Sequence, residues 1–252
     1  MESETTKGFG AAARALNKFA GLVRRCIDDY DMIEEGETIA VGVSGGKDSL
    51  SLLCALAKLR EFHPKRFRIH AVTLDMGYGE PDYTPIAKLC EDSDVPFTLL
   101  HRDFNEIVFD GKRGNSFCAV CAKMRRGVLH EAITGLGLKK LALAHHFDDA
   151  VETFIMSLIY EGRINCFQPV TYMSRAGVTQ IRPMLYVKEE AVRILAEKLN
   201  LPVVHNSCPM NGVSKREEAK ILLKTLSLSY PGIKDKIFGS IQRYPLKGWE
   251  RK

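Results

Sequence analysis

Apolar positions along this chain follow two different periods. Over residues 11–30, Leu16, Phe19, Val23, Cys26, Ile27 and Tyr30 recur at three- and four-residue steps. Arg24, Arg25, Asp28 and Asp29 take the opposite side, so the spacing predicts an amphipathic helix. Residues 38–43, 67–74, 96–101 and 140–144 are instead short continuous apolar runs, as strands covered on both faces would be. A fifth short strand is expected at 178–181. Helical periods fill the intervals at 48–62, 82–94, 118–136 and 148–160, with a small helical piece at 104–109. Pro85 falls near the first turn of its helix, where a missing N–H is tolerated. Further on, 188–199 places Val192, Leu195 and Leu199 inward, and Ser214 opens a helix through 226. Residues 110–116, 161–175 and 201–210 read as irregular, and 230–252 as a short helix with an extended basic end. Strands alternating with helices predict an α/β fold, with a mostly parallel five-stranded sheet between two helical layers. Its crossovers should be right-handed. Residues 1–34 are expected as an N-terminal helical segment, 35–228 as the main domain and 229–252 as a tail.

Composition changes this picture only modestly. The 252 residues, 45% apolar and 27% charged, suffice for a full core. No apolar run approaches the roughly 18 residues of a membrane span. Residues 1–7 are polar and lack the apolar stretch of a signal peptide, so a cytoplasmic location is expected. The formal charge of +5 leans toward an anionic partner, nucleic acid among them. Seven cysteines at irregular spacing argue against a disulfide framework. Cys26, Cys54 and Cys90 lie in apolar-periodic stretches and are expected as buried small hydrophobes.

The first strand stops at Ser44-Gly45-Gly46-Lys47-Asp48-Ser49, and a helix follows at once. Paired glycines let the backbone turn its N–H groups inward and admit a ligand closely. Hydroxyls, a lysine and the open amides of the next helix converge there, which describes a phosphate site. The spacing differs from a Walker loop, which needs four residues between its first glycine and Gly-Lys-Ser/Thr. Asp48 beside Lys47 makes sense when Mg²⁺ bridges carboxylate and phosphate. Ligands of parallel sheets collect at the carboxyl ends of strands, where Asp75 and His145 also fall. Asp148 and Asp149 head the next helix, a place its dipole would favour for acids even without function.

Cys118-Ala119-Val120-Cys121 leaves three readings open: a redox dithiol, half of a zinc site, or part of an iron–sulfur site. No second CxxC completes a four-thiolate zinc site, and Cys208 stands in an irregular, proline-flanked loop. The helix after Cys121 carries Lys123, Arg125 and Arg126, cations that stabilise thiolates. Cys166 is a further loop thiol.

The loop from Ser44 to Ser49 resembles the signature of the PP-loop ATP pyrophosphatases. Cys118-Ala119-Val120-Cys121-Ala122-Lys123-Met124-Arg125-Arg126-Gly127-Val128-Leu129 resembles the central motif of the TtcA family, the tRNA 2-thiocytidine synthetases. So do Ala144-His145-His146-Phe147-Asp148-Asp149-Ala150-Val151-Glu152-Thr153, Ile181-Arg182-Pro183-Met184 and Cys208-Pro209, in the family's order. The similarity runs from about residue 19 to about residue 223. It implies a Rossmann-like three-layer α/β/α fold of the adenine nucleotide alpha hydrolase type. It also implies ATP·Mg²⁺ on Ser44, Gly45, Gly46, Lys47, Asp48, Ser49, Asp75 and His145, with Lys47, Asp48, Asp148 and Asp149 catalytic. A [4Fe-4S] cluster would rest on Cys118, Cys121 and Cys208, one iron staying open for sulfur. Lys123, Arg125, Arg126 and Arg182 would meet tRNA phosphate. The implied reaction adenylates a cytidine, releases pyrophosphate, then exchanges AMP for sulfur from sulfide or a cysteine desulfurase system. A homodimer is implied too. The chain departs from the pattern in its short ends and in the loop Met76-Gly77-Tyr78-Gly79 after Asp75. Other readings are a sulfurtransferase for another tRNA base or a small molecule, and a non-catalytic RNA-binding sensor of nucleotide or cluster. A lysidine-type ligase shares the Ser-Gly-Gly loop but has no use for three convergent cysteines.

Overall fold

A computed structural model describes residues 2–77, 79–103, 117–204, 215–244 and 246–251, without the side chains of 2–9 and 117–120. The expected helical piece at 104–109, the loop at 110–116, the side chain of Cys118, Tyr78, Cys208 and Ser214 lie outside the described residues.

Helix α1 (Glu2–Asp29) precedes β1 (Thr38–Gly42), α2 (Lys47–Leu59), β2 (Arg68–Asp75), α3 (Thr84–Asp92) and β3 (Phe97–His101). Then come α4 (Phe117–Gly135), β4 (Lys140–Ala142), α5 (Phe147–Glu161), β5 (Val170–Met173) and β6 (Val178–Ile181). Helices α6 (Glu189–Lys198), α7 (Lys215–Ser229) and α8 (Ile233–Arg243) complete the order. The sheet runs β3-β2-β1-β4-β6-β5, parallel throughout except for the antiparallel pair β5–β6. Among the described residues it has six strands, not five. The missed strand lies inside the stretch expected to be irregular. Four residues long, with Tyr172 two-thirds exposed at the sheet edge, β5 lacks the apolar run that betrays a central strand. The tight turn after Met173, closed by N–H bonds from Ala176 and Gly177, fixes its pairing.

The core explains why the apolar runs are where they are. Ile39 and Val41 of β1 and Ile69 and Ala71 of β2 share one buried cluster with Leu50, Leu53 and Leu56 of α2. Each such aliphatic side chain, taken fully out of water, stabilises the fold by about 1.5–3 kcal/mol. Phe19, Val23, Cys26 and Ile27 of α1 join the same cluster, as their spacing predicts, and α1 packs on α2 and α6. The C-terminal end is not an extended basic tail. Trp249 is fully buried against Tyr30 and Phe238, and its indole N–H donates to the Phe167 carbonyl at 2.9 Å. A lone tryptophan among basic residues gives no periodic signal, so pattern alone could not place it. On the other face, α4 sets Leu129 and Ile133 against Ala40, Val72, Leu141 and Val178 of the sheet. Among the described residues no helix is long and apolar enough to cross a membrane.

Candidate active site

The loop after β1 is held by its own serines. The Ser44 N–H donates to the Ser49 hydroxyl oxygen at 3.1 Å, and that hydroxyl donates to the Gly46 carbonyl at 2.9 Å. The two hydroxyls lie 3.2 Å apart. Gly45 has φ +83°, and a Cβ there would stand 3.0 Å from the Cβ of Val204. Its carbonyl accepts the Val204 N–H at 3.0 Å, so the turn needs glycine for conformation and for space. Gly46 then precedes α2 with no side-chain cap, leaving the helix amides open where a phosphate would sit. Lys47 folds onto Asp48 at 2.7 Å and Glu189 at 3.3 Å. Burial opposes its charge, but the two carboxylates outweigh it and hold the ammonium above its ordinary pKa.

A cleft of about 380 Å³ opens at the carboxyl ends of β1, β2 and β4. Ser44, Asp48 and Ser49 line one side, Asp75, Met76 and Leu74 another, and His145, Asp149 and Arg125 close it. The Asp75 carboxylate is oriented by the Gly77 N–H at 3.0 Å and His101 at 2.9 Å. At the head of α5, a capping box joins His146 and Asp149: the His146 N–H donates to Asp149 Oδ2 at 2.9 Å, and the Asp149 N–H to His146 Nδ1. Asp149 Oδ1 accepts Arg216 Nη1 at 2.6 Å. The His145 ring packs on Phe167 with a buried, unpartnered Nδ1. Burial, then the nearby Arg182 charge, pushes its pKa down to about 4, so it is neutral at pH 7. Cys121, Met124 and Val128 of α4 belong to the same apolar cluster as Leu74 and Met76, two residues of the cleft wall.

A PP-loop domain family model matches residues 15–211. The chain is 36% identical over 236 residues to the tRNA-cytidine(32) 2-sulfurtransferase of Geobacter sulfurreducens, spanning 91% of this chain and 92% of that protein. It is 37% identical to the enzyme of the same name from Syntrophotalea carbinolica, over 90% of this chain and 89% of the other. This chain belongs to that PP-loop family. Among solved structures, the U34-tRNA thiolase NcsA from Methanococcus maripaludis, determined with its [4Fe-4S] cluster, superposes with a TM-score of 0.71 at 23% identity. That overlay covers 92% of this chain and 79% of the thiolase and supports the three-layer α/β/α fold.

Within this family member, the residues singled out by sequence separate into groups. Ser44, Asp48, Ser49, Asp75, Arg125, His145 and Asp149 come together at one cleft. Asp148 does not line it. Its Oδ2 accepts the Glu189 N–H at 2.8 Å and its Oδ1 accepts Lys234 at 2.7 Å, tying α5 to α6 and α8. Burial alone would raise its pKa; those two donors outweigh burial and lower it. Adjacent residues on a helix point about 100° apart, so of the acidic pair only Asp149 can face the cleft. Arg182 is also corrected: it is buried, not poised for RNA. It donates to the Gln168 carbonyl at 2.5 Å and Thr171 Oγ1 at 3.0 Å and lies over the Phe167 ring at 5.0 Å. Burial lowers its pKa to about 10. Lys123, Arg125 and Arg126 are exposed on α4. Cys166 is buried, its thiol donating to the Ala150 carbonyl at 3.5 Å, and burial pushes its pKa up to about 12. Such a thiol is inert packing rather than a sulfur handler.

Sequence reasoning missed a set of side chains around Asp149. Arg216 bridges Asp149, Glu152 at 3.2 Å and Thr153 at 3.3 Å, and Lys220 approaches Glu152 at 4.0 Å and Glu189 at 3.7 Å. Burial raises Glu152 to about 7 despite both cations. Its spacing three residues after Asp149 puts the two on one helix face, a signal available in the sequence. Arg216, more than sixty residues away, gave none.

Proposed function

We propose that this chain is an ATP-dependent sulfurtransferase that converts a tRNA cytidine, at position 32 as its relatives are named, to 2-thiocytidine. The observation that carries this is the shared cleft: the serine-glycine loop, Asp149 and Arg125 line it, and Cys121 belongs to the apolar cluster that includes Leu74 and Met76 of its wall. ATP would lay its pyrophosphate on Ser44–Ser49 and the open amides of α2, with its adenosine along Val72, Leu74 and Asp75. Asp48 and Asp149, both facing the cleft, are the carboxylates suited to Mg²⁺. Lys47, now on Asp48 and Glu189, is close enough to follow phosphate charge.

The cytidine O2 attacks the α-phosphorus, the P–O bond to pyrophosphate breaks, and the base carries AMP as a leaving group. Sulfur then adds at C2 and AMP departs with the oxygen. A [4Fe-4S] cluster fits the donor set: thiolate sulfur suits iron, and Cys121 sits among Leu74, Met76, Met124 and Val128, an apolar setting beside the cleft. Cys118, three residues earlier in α4, and Cys208 would complete the ligands. When bound there, the cluster would supply iron able to hold the sulfide that the activated base takes up. Arg125, with Lys123 and Arg126, would hold RNA phosphate at the mouth. A cytoplasmic homodimer fed by sulfide or a cysteine desulfurase system completes the reading.

Anaerobic reconstitution with iron, sulfide, ATP and bulk tRNA, followed by nucleoside mass analysis, tests it. Expected are 2-thiocytidine with AMP and pyrophosphate in equal amounts. Cys118→Ser, Cys121→Ser and Cys208→Ser proteins should lose thiolation together with the visible cluster absorbance. Full thiolation by any of the three, or a thionucleoside other than thiocytidine, would sink it.

A further inference from the structure

Helix α4 carries two groups that matter at the cleft, Arg125 in its wall and Cys121 in the apolar cluster that includes Leu74 and Met76. What seats this helix is mostly apolar: Met124 and Val128 in the cluster that includes Leu74 of β2, Leu129 and Ile133 in the one that includes Ala40, Val72, Leu141 and Val178. Apolar contact is non-directional and holds a helix on a sheet face without fixing its roll. A roll of about 10° moves a side-chain tip about 5 Å from the helix axis by about 1 Å. An error of that size at a reacting centre costs about a hundredfold in rate.

One buried polar contact supplies the missing direction. His130, at the flank of the apolar stripe and 6% exposed, meets Gln180 of β6, 3% exposed, with Nε2 to Nε2 at 2.8 Å. The amide orientation is fixed from the other end, because Gln180 Oε1 accepts Arg182 Nη2 at 3.3 Å and a guanidinium can only donate. Gln180 therefore presents its NH₂ to His130, and the imidazole must accept: the neutral tautomer with its proton on Nδ1. Arg182 is in turn anchored on the Gln168 carbonyl and Thr171 and lies over Phe167, which packs on His145. A line of contacts, hydrogen-bonded as far as Arg182 and aromatic beyond it, thus runs from α4 through β6 to the His145 ring beside the cleft.

We propose that His130 and Gln180 are positioning residues whose hydrogen bond sets the roll of α4, and with it the places of Cys121 and Arg125. The inference rests on the proposed function, since it is sulfur transfer that requires this alignment. Burial, then the Arg126 charge, lowers the His130 pKa and so keeps the acceptor form in place at neutral pH.

The test uses the full chain as His130→Leu, Gln180→Leu, the double variant and His130→Gln. A single leucine strands a buried polar partner and should lower Tm. The double variant removes both members of the pair and so relieves the stranded partner; Arg182 Nη2 loses its Gln180 acceptor while Nη1 keeps Gln168 and Thr171, so part of the stability returns. Positioning predicts that it still thiolates tRNA about tenfold or more slowly, with affinity for a non-hydrolysable ATP analogue within about twofold of wild type. Its reduced cluster should give a shifted electron paramagnetic resonance signal. His130→Gln, which still offers an acceptor, should recover both rate and signal. A double variant with wild-type thiolation and an unchanged signal overturns the inference, even if a single variant fails to fold. A wild-type chain that takes up no iron and sulfide overturns the proposed function itself, and this inference with it.

Discussion

At the scale of single residues, Gly45 and the titrating pair His145 and Glu152 carry the sharpest consequences. Gly45→Ala combines a left-handed backbone with a Cβ 3.0 Å from Val204. The conformation alone costs about 1–2 kcal/mol, and relief of the contact would open the loop. Expected are a lower Tm and a loss of ATP-analogue affinity by calorimetry; unchanged affinity would mean the loop does not hold the phosphates. His145 and Glu152 push stability in opposite directions with pH. The folded pKa of His145, about 4, lies below its ordinary 6.5, so its contribution to stability grows as pH rises between these values. The folded pKa of Glu152, about 7, lies above its ordinary 4.5, so its contribution shrinks as pH rises through that window. Denaturant titrations from pH 4.5 to 7 should therefore show wild type losing stability relative to Glu152→Gln. Imidazole resonances of His145 should report the neutral form at pH 7 and begin to move only toward pH 4.5. A His145 that titrates near 6.5 would show that burial and Arg182 do not act on it as described. Sequence reading reached His145 and the acidic pair, yet could not choose between Asp148 and Asp149, because orientation about a helix axis depends on what packs against it.

Element by element, what was legible followed from how local its cause is. The strand expected at 38–43 is β1 and the helix expected at 118–136 is α4, each within a residue, since apolar runs and helical periods report burial directly. Strand β5 was illegible: its pairing with β6 is set by a turn rather than by an apolar run. The C-terminal end was misread because Trp249 is committed to a core that joins Phe238 of α8 to Tyr30 and to the stretch before β5, the last two far from it in sequence. That docking has a measurable weight. Removing a fully buried indole costs about 3–5 kcal/mol, so Trp249→Ala should unfold well below wild type by calorimetry. Because its N–H bonds the carbonyl of Phe167, which packs on His145, the variant should also weaken binding at the cleft. A wild-type Tm would show that the terminal segment contributes nothing to the core.

For the whole molecule, the question is where a large polyanion meets a chain whose formal charge is only +5. Among the described residues, cations at the head of α5 and the serine-glycine loop are already engaged: Lys47 by Asp48 and Glu189, Arg216 by Asp149 and Glu152, Lys234 by Asp148. Net charge therefore says little about where RNA docks, and the exposed Lys123, Arg125 and Arg126 on α4 say more. Each phosphate neutralised adds about 0.7–0.9 to the slope of log affinity against log salt. Changing all three to glutamine should lower that slope for tRNA by about 2–3, while ATP-analogue affinity falls only through Arg125, the one member of the three in the cleft wall. Lys123→Gln with Arg126→Gln alone should reduce the slope by about 1.4–1.8 and leave nucleotide affinity at the wild-type value. A triple variant with an unchanged salt slope would move the RNA surface away from α4, and the alignment of that helix would then serve the sulfur site alone.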